Sequence, residues 1–545
     1  MEHSPGRQDQ LGRPFILDLP DELLCNIFDY FRPDGVDVTD TPYSYLFDEE
    51  TRDTGDDALA ALQNARLVCR RFHDLASPLL VPVLRASIDS ESLRRIDGLT
   101  RNPHVASGVR IVQLLLGYRP RDVAQSLVRY RELQSGKILQ LCRSCDRYLD
   151  FPDPDDELTR AITAAVERYS YMLSAWDECG DRGDGNGNGN CEGDTDNTST
   201  FKKLLYECHD EYRRRQEDQD RLLADGSYAA ALGASAGRMT GLRALSFSDH
   251  MYRPTQDLVR EALARPAHDA AKLREMMVMP QDWATIGEIS PASALLAARL
   301  LWEVPVALFE NGVRLQEVAV STLPLKSKLD TLGQPALDRL RAAVRGLLRV
   351  DVGRLHKTWP SSLPAERKAY LDGYLDALLS GESLQRIDLD ASALCPDSDE
   401  DTKYAIGSVL ASARHPNLRE LHLDNVSFLQ HEMEAFIGGL GGALRSVDFY
   451  DVDIQDGTWE NPLELLRDKI ALSGRPVEVA LADLHGLGMY SPVHSPAHDS
   501  SDSDSDSNGE GSLGGGSWDR KASLLRDMER YIHGEEGMAN PLSQR

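Results

Sequence analysis

A serine flanked by glycines has the spacing of a hydrolase nucleophile. The sequence GASAG at residues 233–237 fits the pattern G-x-S-x-G, in which a strained turn exposes the serine oxygen for attack on a carbonyl. That turn needs a strand before the serine and a helix after it. Here an alanine-rich helical stretch precedes Ser235, and the next predicted strand follows it, near Leu242. The reversed order favours a helix end packed through small residues.

A second candidate for chemistry is a pair of cysteines, Cys142 and Cys145, at the spacing of half a zinc site. Structural zinc sites normally supply a second close pair of ligands. The remaining candidates in this region are scattered along the chain: Cys179, Cys191, Cys208 and His209. Since the last two are adjacent in sequence, they are poorly placed to chelate one ion. The pattern therefore predicts no metal site.

Two further motifs lack a required residue. The glycines within 438–442 are followed by no Lys-Ser or Lys-Thr pair, so they indicate a helix end and no phosphate loop. His431 and Glu432 lack the second histidine of the zinc motif H-E-x-x-H. We therefore predict a protein that is not an enzyme, with no catalytic residue and no cofactor.

Composition and charge limit the class of partner. The chain has 545 residues, of which 41% are hydrophobic and 27% charged, and its formal net charge is −28. Because this field repels phosphate groups and anionic lipids, we expect neither nucleic-acid nor membrane-surface binding. The most apolar long stretch, 293–309, is interrupted by Arg299, Glu303 and Pro305, which favours a buried helix end over a membrane span. Sparse cysteines and a polar N-terminus favour a cytoplasmic or nuclear location.

Three segments have compositions typical of disorder. They are residues 1–14, a Gly/Asn/Asp-rich linker at 181–200, and an acidic Ser/Asp/Gly-rich tail at 486–545. Such segments contain too few apolar side chains to offset the entropy lost on ordering. Within the tail, apolar residues at helical spacing predict a short helix over 518–533.

Two short amphipathic segments near the N-terminus carry the most specific signal. The first, LPDELLCNIF, begins at Leu19; its proline suits the first turn of a helix, and the acids that follow complement the helix dipole. The second, RLVCRRF, spans residues 66–72. Helices this small cannot enclose a stable core alone, so we expect them to dock on the rest of the chain or on a partner.

In order and type these segments resemble the two halves of an F-box, L-P-x-E-L-L-x-x-I-F and R-L-V-C-R-x-F. The resemblance covers residues 15–85 and implies a three-helix unit, here with an inserted acidic loop at 33–57. F-box proteins bind a Skp-type adaptor, which bridges to the cullin of a ubiquitin ligase. The residues that the resemblance assigns to adaptor contacts or their immediate support are Leu19, Pro20, Leu23, Leu24, Ile27, Leu67, Val68 and Phe72.

A repeated spacing of apolar residues runs through the rest of the chain. Copies with apolar residues at +3 and +5, and in the complete ones at +8 and +10, start at Leu242, Leu315, Leu384, Leu418 and Leu444. A doubtful copy at Leu347 is alternatively the extension of a helix. The core pattern, L-x-x-L-x-L, is similar to the strand of a leucine-rich repeat. Residues 86–485 are therefore predicted to form an irregular α/β solenoid of this type, the alternative being a few unrelated strands in an α/β domain.

Alternate residues of these strands form the sheet face opposite the core. In leucine-rich-repeat proteins that face lines the concave binding surface. On three strands it is predicted to carry Arg386, Asp388, Asp390, Glu420, His422, Asp424, Ser446, Asp448 and Tyr450. Five carboxylates against one arginine predict a basic partner segment. The alternative is an acidic face that is merely solvated.

Together these features predict a substrate receptor of a Skp–cullin–F-box ubiquitin ligase. The F-box would dock the adaptor, and through it a cullin, while the repeats would hold an unidentified protein substrate. Such a receptor does no chemistry and acts by proximity. The alternative is a scaffold that uses the same helices and repeats without ubiquitin transfer.

Overall fold

The computed structural model describes eleven stretches of the chain. They are residues 16–31, 55–149, 157–177, 196–249, 269–290, 295–324, 332–353, 365–392, 403–487, 515–535 and 538–543. The predicted disorder of residues 1–14 falls outside them. So do most of the inserted loop and the predicted linker, and much of the acidic tail.

Parallel strands form one sheet, and their order across it follows the chain. Nine strands pair successively, while β7 and β11 are short additions to β8 and β9. The strands are β1 (Val83–Ser87), β2 (Ile111–Leu115), β3 (Ala244–Ser248), β4 (Glu317–Val320), β5 (Arg349–Val352), β6 (Arg386–Asp390), β7 (Tyr404–Ala405), β8 (Glu420–Phe428), β9 (Ser446–Ile454), β10 (Glu478–Ala482) and β11 (His485–Gly486). The predicted α/β class is thus confirmed, and the strands form a parallel sheet.

Helices connect the strands, as parallel pairing requires. They are α1 (Asp21–Asp29), α2 (Gly55–Ala65), α3 (Arg70–Ala76), α4 (Ser90–Thr100), α5 (Pro103–Ala106), α6 (Arg121–Gln125), α7 (Leu127–Leu149), α8 (Glu157–Asp177), α9 (Asp196–Ala224), α10 (Ser227–Ala236), α11 (Ala270–Val278), α12 (Trp283–Ile289), α13 (Leu300–Glu310), α14 (Gln334–Val344), α15 (Ala365–Leu379), α16 (Gly407–Ala411), α17 (Gln430–Gly439), α18 (Glu460–Ser473) and α19 (Gly515–Ile532). None in the described stretches is long and apolar enough to cross a membrane.

Two in-register columns of apolar side chains form the sheet's contribution to the core. The first column is Leu84, Val112, Leu245, Val318, Val350, Ile387, Leu421, Val447 and Val479. The second, two residues further along each strand, is Ala86, Leu114, Phe247, Val320, Val352, Leu389, Leu423, Phe449 and Leu481. They pack in one cluster with residues of the connecting helices. Each large side chain contributes about 1.5–3 kcal/mol by leaving water.

The strand positions extend the predicted repeat. The doubtful copy at Leu347 is strand β5, not a helix extension. Two strands at the start of the sheet, β1 and β2, and β10 near its end had not been predicted. Their apolar cores contain alanine, or valine where the repeat usually has leucine, so the spacing alone did not reveal them.

Long insertions explain why the repeat is irregular. Equivalent residues Val112 and Leu245, on β2 and β3, lie 133 positions apart in the chain. Much of that interval forms α7, α8 and α9, which with α11 enclose a second apolar cluster. From β4 onward the strands follow at short intervals that leave room for a single connecting helix or a little more.

Two helices and a strand extend across boundaries that were predicted from the sequence. Helix α9 begins at Asp196, so the end of the linker predicted at 181–200 is helical. The reason is tertiary packing, because Thr198 is buried and its Oγ1 lies 3.1 Å from the hydroxyl of Tyr171 on α8. Helix α2 begins at Gly55, inside the loop predicted at 33–57. The F-box boundary at residue 85 falls within β1, which pairs with β2 in the sheet.

The predicted helix over 518–533 is present as α19, which begins three residues earlier. It covers the last repeat by packing against α18 and β10. Its buried side chains join the main core: Leu524, Leu525, Met528, Tyr531 and Ile532. The Glu529 carboxylate accepts a hydrogen bond from the backbone N–H of Leu481 at 3.0 Å. The helix thus covers the apolar end of the main core beside β10.

One buried histidine lies between α16 and β8 without a polar partner. His415 is fully buried, its ring lies 5.9 Å from that of Phe436, and neither ring nitrogen forms a hydrogen bond in the described structure. Burial lowers the pKa of His415 to about 4. The folded protein therefore holds this imidazole neutral at pH values where an unfolded chain, with a pKa of about 6.5, protonates it.

This difference predicts acid sensitivity that His415→Leu removes. Because the folded pKa is depressed, stability is lost as pH falls below about 6.5. Between pH 7 and pH 5 the variant should gain about 2 kcal/mol in free energy of unfolding relative to the wild type. Urea unfolding at both pH values measures the change. The exposed His431, replaced by glutamine, is the control and should show no such gain; a constant difference between His415→Leu and wild type would refute the prediction.

Candidate functional site

The N-terminal helices α1, α2 and α3 form a small unit with a core of its own. Its buried side chains are Leu24, Phe28, Leu62, Phe72 and Ala76. Phe28 on α1 and Phe72 on α3 meet edge to face, with ring centroids 5.1 Å apart. Phe28 of α1 therefore faces α3, and Leu24 lies in the same core. Sequence positions about fifty residues apart meet in one cluster.

Arg71 links the first and third helices of this unit. Its Nε donates to the Asp21 carboxylate at 2.7 Å, and its guanidinium also donates to the backbone carbonyls of Leu17 and Leu19, at 2.8 and 2.5 Å. These bonds hold the chain that enters α1 against α3. Arg71 was not among the predicted site residues, although its place beside Phe72 in the second motif could have suggested a role.

The predicted adaptor residues divide into a buried and an exposed group. Leu24 and Phe72 lie in the unit's core and support it, while Leu19 is half-buried and Pro20 is exposed. The others are large apolar side chains at the surface, here called the apolar patch residues: Leu23, Ile27, Leu67 and Val68, exposed by 48, 36, 79 and 63%. Four exposed apolar neighbours in sequence were not predicted: Ile16, Leu17, Tyr30 and Phe31. Exposed apolar side chains are thus frequent in two short segments, 16–31 and 67–68, and exposed apolar area is typical of protein-interaction surfaces.

All nine predicted sheet-face residues lie on adjacent strands in the expected alternation. In register, Asp388 pairs with His422 and His422 with Asp448 across β6, β8 and β9. The next row along the strands is Asp390, Asp424 and Tyr450. A groove of about 610 Å³ lies over the beginning of these strands.

Charge on this face is only partly compensated. Arg386 serves two carboxylates, at 3.1 Å from Asp388 and 2.9 Å from Glu420. His422 lies 4.0 Å from Asp448. Burial, reinforced by the charge of Asp390, raises the pKa of Asp424 to about 6. Burial also raises the pKa of Asp448.

A tighter group of charges lies where β9 bends. Lys403, beside β7, donates to the Asp451 carboxylate and, at 2.9 Å, to its backbone carbonyl. His485 on β11 approaches the same carboxylate at 3.1 Å. Burial alone would raise the pKa of Asp451, but the hydrogen bonds from His485 and Lys403 outweigh it and lower the pKa. Since the partners satisfy one another, this group fastens the short strands to β9.

The bend itself repeats in three successive strands. Asn425, Asp451 and Asp483 occupy equivalent positions and have φ values of 55°, 53° and 50°. Asn and Asp adopt this left-handed conformation more readily than other residues with a side chain. An Asn or Asp at +7 in the copies at Leu418 and Leu444 was therefore a signal for the bend that the sequence analysis missed.

Ser235, Cys142 and Cys145 lie inside helices, whereas Cys179 and Cys191 lie outside the described residues. Ser235 is 5% exposed within α10, and its Oγ lies 3.3 Å from the Arg238 guanidinium. Cys142 and Cys145 are buried on α7. Among the described residues, no group of three or more His, Cys, Asp or Glu side chains could hold a metal ion.

Ser235 is expected to be silent towards hydrolase reagents, because a buried helical serine lacks the exposed turn that activates a nucleophile. Incubation with a fluorophosphonate probe and mass spectrometry of the full-length chain should find no label at Ser235. Labelling that disappears in Ser235→Ala, with the fold intact by circular dichroism, would overturn this.

Comparison with protein-family models, with curated proteins and with solved structures found no match for this chain.

Proposed function

We propose that this protein is the substrate receptor of a Skp–cullin–F-box ubiquitin ligase and docks its adaptor through the unit α1–α3. The observation that carries the proposal is the apolar patch. Its four residues belong to the two segments that resemble the F-box, and they are exposed while their neighbours Leu24 and Phe72 form the core. A small unit with apolar side chains on its surface has more to gain from a partner than from solvent.

The connection to the sheet supports the same proposal. The turn at Ser77–Leu79 leads from α3 towards β1 and contacts α5. At Gly108, just after α5, a Cβ atom would lie 1.7 Å from the carbonyl oxygen of Pro78. Close packing at this junction holds the unit against the first repeat. A receptor needs such a junction, because it must present its substrate at a defined place relative to the adaptor.

The double variant Ile27→Ala, Leu67→Ala should weaken binding of a purified Skp-type adaptor. Two apolar contacts at about 1 kcal/mol each correspond to a loss of roughly thirtyfold in affinity. Both side chains are exposed, so the fold should persist. Titration calorimetry with the full-length chain measures the effect.

A matched control is Leu139→Ala, Leu472→Ala, since these leucines are also exposed, by 45 and 71%, but lie on α7 and α18. It should bind the adaptor like the wild type. Equal affinity of all three proteins would disprove the assignment of the patch. If the adaptor binds but the assembled complex recruits no cullin, the scaffold function holds instead of the ligase.

Leu24, the buried leucine of the first F-box-like segment, should affect the stability of α1–α3 when it is replaced. Leu24→Ala removes a fully buried side chain from the core of the unit and should destabilise it by about 2–5 kcal/mol. Hydrogen exchange of α1 and α3, compared with that of the sheet, reports this local loss. If exchange in α1–α3 is unchanged, Leu24 contributes nothing to the unit's core.

A further inference from the structure

The acidic sheet face is a local feature and not a reflection of the net charge. On the first four strands the same face carries a mixture of residues: Val83, Ile111, Ala244 and Ala319 form a separate apolar cluster there, beside Arg85, Gln113 and Glu317. From β6 to β9 it becomes predominantly acidic. We call these side chains the acidic face: Asp388, Asp390, Glu420, Asp424 and Asp448. Its only arginine in the described strands β6, β8 and β9 is Arg386.

Asp424 is the least compensated carboxylate of this face. It faces Asp390 on one neighbouring strand and Tyr450 on the other. Within the described residues no hydrogen bond or ion pair reaches its carboxylate. Burial and the charges of Asp390 and Asp451 raise its pKa to about 6, although the nearby His422 and Lys403 act in the opposite direction. A charge in this position lowers the stability of the protein alone. A cationic group of a partner would stabilise the ionised carboxylate of Asp424.

Tyr450 adds an aromatic surface next to Asp424. It is 48% exposed, unlike the other aromatic residues of β8 and β9, Phe428 and Phe449, which are buried. An exposed ring beside a carboxylate suits a guanidinium or ammonium group, which can contact the ring while pairing with the acid. The exposed aromatic ring of Tyr450 and the negative charge of Asp424 therefore lie next to each other on the sheet.

We propose that the acidic face, with Asp424 and Tyr450 at its centre, binds an extended Lys/Arg-rich segment of a partner protein. Neighbouring strands lie about 4.8 Å apart, so a segment crossing β6, β8 and β9 spans about 10 Å, or roughly three extended residues between the outer strands. The basic residues of the segment are placed on the row of Asp390, Asp424 and Tyr450, because the groove at the beginning of the strands is lined by Arg386, Arg445 and Arg475 as well as by Glu420, Asp448 and Glu478. The identification of this segment as part of a ubiquitination substrate rests on the proposed function.

The binding test uses the full-length chain and a fluorescein-labelled twelve-residue peptide of alternating lysine and serine. The same peptide with glutamate in place of lysine is the negative probe. The variant D388N/D424N/D448N should lose roughly tenfold or more in affinity, and its remaining binding should depend less on salt. Fluorescence anisotropy at two salt concentrations measures both quantities.

The control variant E382Q/E464Q/D468N changes the net charge by the same amount at exposed positions away from the acidic face. It should retain affinity within about twofold, since bulk charge alone has a screened effect. Equal losses in both triple variants would mean that the peptide senses only net charge. Undiminished binding by D388N/D424N/D448N would also overturn the proposal.

A second test separates binding from a structural role. The folded-state pKa of Asp424 is raised, so its ionisation costs stability that accumulates between about pH 4 and about pH 6 and stays constant above. Asp424→Asn should therefore raise the melting temperature at pH 7.5, with a smaller gain at pH 4.5. The same variant should bind the basic peptide with lower affinity. A lower melting temperature at pH 7.5 would assign Asp424 to the fold instead.

Adaptor binding by the same variants distinguishes the two proposals. D388N/D424N/D448N should bind the Skp-type adaptor normally, because its changes leave α1–α3 untouched. If the peptide binds the wild type and the adaptor does not, the acidic face stands and the receptor function fails. If the adaptor binds the wild type and the peptide does not, the receptor function stands and the proposal for the acidic face fails.

Discussion

The in-register stacking of two apolar columns across the parallel sheet is the constraint on which the rest of this structure depends. Side chains alternate between the faces of a strand, so a shift of one residue would move every core residue to solvent. The column from Leu84 to Val479 therefore fixes which residues form the opposite face. Asp388, His422 and Asp448 lie in one row because Ile387, Leu421 and Val447 are buried behind them.

The same constraint explains what the ends of the sheet require. The core beneath an open sheet has an apolar surface at each end, and each edge strand has unpaired backbone groups. At the far end α19 covers both, through Met528 in the core and Glu529 on the backbone of β10. At the near end β1 is joined to α1–α3 through a junction too tight for a side chain at Gly108.

Two surfaces of the protein lower the stability of the isolated chain. The apolar patch leaves Leu67 and Val68 mostly in water, and the acidic face holds Asp424 ionised against a raised pKa. Both are of the kind that a partner relieves, by burying apolar area in one case and by supplying positive charge in the other.

The sequence by itself determined the strands whose apolar residues are large and regularly spaced, such as β8 and β9, because alternation at that strength has few other structural solutions. It also determined which side chains share the acidic face. Tertiary structure alone decided what local pattern leaves open. Val112 and Ala86 became core residues through pairing with distant strands, and Thr198 became helical through packing against α8. It also separated Leu24 from Leu23, since one stripe of apolar residues becomes core or surface only when α3 packs against it.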